Sequence, residues 1–88
     1  MRISRQHSLG TQEARQRVDQ IAADLGDRFN LRSHWQDDEL RFTGTGIAGR
    51  IVVADNNVDV NVNLGLSLML MEGSIRSAIE DTMSSHLT

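Results

Sequence analysis

The stretch Val58-Asp59-Val60-Asn61-Val62-Asn63-Leu64 decides the fold. Every second residue is apolar and every residue between is polar, the period-two pattern of a strand with one dry and one wet face. Strands of this kind build antiparallel sheets covered on one side only. Working backwards, Ile51 and Val53 keep the pattern, and Leu40 and Phe42 alternate with Arg41 and Thr43. Leu31, Ser33 and Trp35 alternate with Arg32, His34 and Gln36. Because a one-residue slip turns every side chain over, parity constrains the turns. Trp35 opposite Leu40 leaves a two-residue loop at Asp37-Asp38. Val53 facing Val58 or Val60 requires a two-residue loop at Asp55-Asn56 or Asn56-Asn57, where Asn accepts positive φ. Gly44 and Gly46 mark the middle turn, and two registers stay open there: Phe42 beside Gly49, or Glu39 against Arg50.

The flanking segments change period. Ala14, Val18, Ile21, Ala22 and Leu25 fall on one stripe of a 3.6-residue helix. Thr11 is the expected N-cap and Gly26 the expected left-handed terminus. Arg15 with Asp19 and Asp24 with Arg28 have the spacing of solvated i,i+4 pairs. A second helix is expected near the C-terminus, with Ile75, Ala78, Ile79, Thr82, Met83, His86 and Leu87 on one stripe. The short segment Ile3–His7 reads as an edge strand. The expected architecture is α+β, in the order β-α-β-β-β-β-α, with an antiparallel four- to five-stranded sheet and two helices packed on one face.

Composition narrows the function. The chain of 88 residues has room for a single α+β domain spanning residues 1–88. It has no cysteine, which removes disulfides and thiolate metal sites and fits a reducing cytoplasm. No apolar signal-peptide core follows the N-terminus, and the run Leu64–Met71 is far short of the roughly 20 residues of a membrane span. With net charge −3, the chain lacks the basic excess of a nucleic-acid binder, so no nucleic-acid partner is expected.

Candidate chemistry is sparse. His7, His34 and His86 have no metal-ligand spacing, and Ser8 beside His7 lacks the strand-turn-helix setting of a nucleophile. The segment His7–Gly10 reads instead as the turn into the first helix. Asp37, Asp38 and Glu39 ride a hairpin tip rather than converging across a cleft. No catalytic residues, no cofactor and no metal are expected, and the protein reads as a non-enzyme. Two surfaces remain. Arg32, His34, Arg41 and Arg50 share the wet sheet face and form a candidate patch for an anionic partner, or keep an open sheet soluble. Leu66, Leu68, Met69, Leu70 and Met71 are apolar all round at the start of the last helix. They are either a partner-binding surface, with a homodimer among the options, or further core.

From Arg5-Gln6-His7-Ser8-Leu9-Gly10 onward the chain resembles the small bacterial polyhydroxyalkanoic acid system proteins, the polyhydroxyalkanoate granule region family. Phe29-Asn30-Leu31, Trp35, Asp38-x-Leu40-x-Phe42, Gly46-Ile47-Ala48-Gly49-Arg50-Ile51, Leu64-Gly65, Ile75 and Ile79 continue the likeness in order. Asp37 departs from the family's frequent Gly, and Asn63 and Glu72 stand where Lys is frequent. The resemblance implies carbon-storage granules as context, with no catalytic residues to carry over. The expected function is that of a cytoplasmic accessory protein binding a polyhydroxyalkanoate granule or a granule-associated protein. The alternative is a small-ligand module with Trp35, Phe42, Met69 and Met83 around a pocket between the last helix and the sheet.

Overall fold

In the computed structural model, residues 1–87 are described. The chain runs β1 (Arg2–Gln6), α1 (Thr11–Phe29), β2 (Arg32–Gln36), β3 (Glu39–Gly44), β4 (Ile47–Val53), β5 (Asn57–Leu64), α2 (Leu66–Met69) and α3 (Glu72–His86). The five strands form one antiparallel sheet in the order β1-β5-β4-β3-β2. Strands β2 to β5 are a meander, because short loops join neighbours, whereas β1 is placed on the far edge against β5. Helix α1 must therefore cross the sheet. Its 19 residues reach about 28 Å, more than the roughly 19 Å width of five strands.

The period-two pattern sorts the sheet as expected. Leu40, Phe42, Ile51, Val53, Val58, Val60 and Val62 are buried beneath α1 and α3, which also pack on each other. Ala14, Val18, Ile21 and Leu25 from α1, with Ile75, Ile79 and Met83 from α3, complete the core. The Asp37-Asp38 loop pairs Trp35 with Leu40, and Asp37 takes positive φ (56°). Val53 faces Val58 across Asp55-Asn56, with Ala54 accepted by Asn57 at 2.9 Å. The middle turn settles on Phe42 opposite Gly49, and Glu39 opposite Val52. A side chain at 49 would collide with the Phe42 ring tip and the Asn61 carbonyl, so the aromatic ring fills the place that glycine leaves.

Four local expectations are corrected. Gly10, not Thr11, caps α1, since the Thr11 hydroxyl is used elsewhere and donates to Asp55 Oδ1 at 2.6 Å. Gly26 lies inside the helix; α1 runs on to Phe29 and ends at Asn30, which adopts the left-handed conformation (φ 57°). Neither expected i,i+4 pair forms, because tertiary partners compete. Asp19 accepts from Trp35 Nε1 at 2.6 Å, Arg15 lies over the Trp35 ring and binds Asp38, and Asp24 meets His86 Nε2 at 2.6 Å. The last helix is also two pieces: a short α2, then α3 from Glu72.

Candidate functional site

The segment His7–Gly10 is a clamp. His7 Nε2 donates to the Ala54 carbonyl at 3.1 Å while Nδ1 accepts from the Leu9 amide at 3.2 Å. These partners assign the neutral tautomer with its proton on Nε2. The ring is buried and ties the β4–β5 turn to the start of α1. Arg5, on the inward parity of β1 with Ile3, reaches α3 and donates to Ser84 Oγ at 2.6 Å. Sequence reading missed that role, although the shared parity of Ile3 and Arg5 was its signal. His86 pairs α3 with α1, so the three histidines stand in three separate places.

The three consecutive acids also diverge. The Asp37 carbonyl and the Asp38 carboxylate both accept from Arg15, at 2.6 and 3.0 Å. Glu39 turns to the open face and pairs with Arg41 at 2.6 Å and Arg50 at 3.5 Å.

On that open face, register aligns residues more closely than sequence could specify. His34 lies opposite Arg41, Arg41 opposite Arg50, Arg50 opposite Asn61, and Asn61 opposite Arg2. One rung therefore crosses all five strands with four basic side chains. Arg32 sits on the next rung opposite Thr43. Between the two rungs is a shallow open hollow of about 610 Å³, floored by Ala48 and Gly49 and walled by His34, Arg41, Arg50, Asn61 and Asn63. The face carries four arginines against two carboxylates, Glu39 and Asp59, in a chain whose net charge is −3. Positive charge is thus concentrated on the sheet and negative charge on the helices and loops.

The second surface is the tip formed by α2 and its exit. Leu66 is 87% exposed, Leu70 97%, Met69 54% and Met71 53%. Leu68 is different: it is half-buried, packs against the core and rests over Gly46. It anchors the tip and does not belong to the exposed set. The Gly65 amide bonds the Gly46 carbonyl at 2.8 Å, which turns the chain across the end of the sheet and leaves the next residues facing outward.

The expected pocket behind the last helix does not form from its four residues. Phe42 and Met83 are buried, Trp35 packs beneath α1 with Arg15 and Asp19, and Met69 lies on the exposed tip. The void beside Phe42, under α1, is about 10 Å³, too small for any organic ligand.

The chain is an α+β unit with its helices on one face of a five-stranded antiparallel sheet, a bare basic face and an apolar tip. The family model described as "Putative polyhydroxyalkanoic acid system protein" matches residues 1–87, and the chain belongs to that family. Searches of curated proteins and of solved structures give no match. Among the described residues, no helix is long and apolar enough to cross a membrane.

Proposed function

We propose that this protein is a non-enzymatic accessory protein of bacterial polyhydroxyalkanoate storage, acting in the cytoplasm by docking on the granule surface through the α2 tip. One observation carries the reading: Leu66 and Leu70 are almost wholly exposed beside two half-exposed methionines, on a tip held in place by Leu68. Four large apolar residues within six positions are each more than half exposed, unlike the single scattered hydrophobics of an ordinary surface. Family membership supports a granule as the occupant, because a polyester granule is an extended apolar surface in the system the family is named for. Methionine flexibility suits a surface without fixed shape. A non-catalytic role is supported by the histidines, since His7 is occupied at both ring nitrogens and His86 is paired with Asp24.

The test is fractionation of cells that accumulate the polymer. Wild type is expected with the granules, and a Leu66→Glu/Leu70→Glu/Met71→Glu variant in the soluble fraction. Leu68 is left intact because it anchors the tip. Retention of both proteins in the soluble fraction sinks the proposal. Concentration-dependent dimers that disappear in the variant, without granule association, would reassign the tip to a second copy of the chain.

A further inference from the structure

The open sheet face contains an arrangement that folding alone does not favour. Arg41 and Arg50 are direct cross-strand partners, and His34 is the direct partner of Arg41 on the other side. Like charges placed directly opposite on a sheet destabilise it. Among the described residues Glu39 alone offsets the arginine pair, meeting Arg41 through Nε and Arg50 through Nη1. Both guanidinium groups remain half exposed and keep further N–H donors free of Glu39. Glu39 itself is largely covered and draws both arginines towards one point. Sites that break a local rule of sheet stability are where function is expected.

The charge balance narrows the class of ligand. At the hollow Arg41 and Arg50 against Glu39 leave a single net positive charge, Arg2 at the far end of the rung being paired with Asp59, and this matches a monoanion better than a phosphate or a polyphosphate. A planar carboxylate fits the paired donors of a guanidinium. Around it, Asn61, Asn63 and Thr43 offer groups that both donate and accept, the requirement for binding a neighbouring hydroxyl. The floor of Ala48 and Gly49 leaves room for a short carbon chain.

We infer that the hollow binds the carboxylate of a small free hydroxy acid, such as a 3-hydroxyalkanoate. The inference rests on family membership and this rung, and is independent of the apolar tip. It therefore stands or falls without granules being present.

The probe is sodium 3-hydroxybutanoate, titrated into the full chain and followed by amide NMR shifts, with butanoate and inorganic phosphate as comparisons. Saturable shifts are expected at Ala48, Gly49, Arg50 and Asn61 with the hydroxy acid. Arg50→Gln is expected to weaken binding by about tenfold or more, through loss of a charge-assisted contact. Its thermal midpoint without ligand should match or exceed that of wild type, because a like-charge pair has been removed. Asn61→Asp sets a carboxylate directly opposite Arg50 and should raise the midpoint while abolishing binding. Equal binding of butanoate, tighter binding of phosphate, or full binding by folded Asn61→Asp overturns the inference. So does the lack of a saturable shift in wild type.

Discussion

Two glycine-to-alanine substitutions should have opposite signs. A Cβ at position 49 would stand 2.6 Å from Phe42 Cζ and would also overlap the Asn61 carbonyl oxygen. The ring is buried among core residues, and the carbonyl belongs to the neighbouring strand, so neither can withdraw cheaply. Overpacking costs typically 1–3 kcal/mol, and a backbone obstacle places Gly49→Ala at the upper end, about 3 kcal/mol. For a domain of this size that lowers the thermal midpoint by about 12–24 °C. Gly73, in the first turn of α3, has nothing within 4 Å of an added Cβ. There alanine restricts the unfolded chain at no steric cost, so Gly73→Ala should stabilise by about 0.5 kcal/mol. Urea and thermal unfolding of both variants, followed by circular dichroism, measure the difference. A Gly49→Ala protein within about 0.5 kcal/mol of wild type, the range of unremarkable surface changes, would refute the close approach and the β3–β4 register that produces it.

Other expectations follow from the clamp and the helix terminus. His7→Ala removes a buried ring that makes two hydrogen bonds, and should cost about 2–3 kcal/mol with faster hydrogen exchange at the Leu9 amide. An unchanged exchange rate there would show that the ring does not hold the turn. Asn30→Ala should destabilise by about 1 kcal/mol, since alanine tolerates the left-handed conformation poorly, while Asn30→Gly stays within about 0.5 kcal/mol of wild type. Equal stabilities of the Ala and Gly variants in denaturant titrations would count against a left-handed residue at that position.

Alternation made the strands, their inward faces and two of the three meander turns legible, because parity leaves few registers when one face must stay dry. It failed at Gly44–Gly46, where both registers kept Leu40 and Ile51 inward, and only the space around Gly49 separates them. The step from Arg41 to Arg50 depended on that same open register, so sequence placed the arginines on one face without aligning them in a row. Arg5 was hidden by its charge, which disguised an inward position. The acids of α1 were hidden in another way: their nearest partners in sequence lost to Trp35 and His86, which only the tertiary fold brings close. The segment Leu66–Met71 offered no polar phase by which to orient it. Its exposure comes from Gly65 meeting Gly46 at the end of the sheet, where no helix or strand remains to cover it.

Docking through that tip is tested most directly by sedimentation of the purified protein with isolated polyhydroxyalkanoate granules. Leu66 and Leu70, at 87% and 97% exposure, have nearly their whole side chains to bury. Covering both contributes about 3–5 kcal/mol, or a factor of about a hundred to several thousand in partitioning. Wild type and Arg50→Gln should pellet alike, whereas a Leu66→Glu/Leu70→Glu variant with an unchanged melting temperature should stay in the supernatant. Wild-type protein that remains in the supernatant, or a double variant that pellets as fully as wild type, would contradict the account.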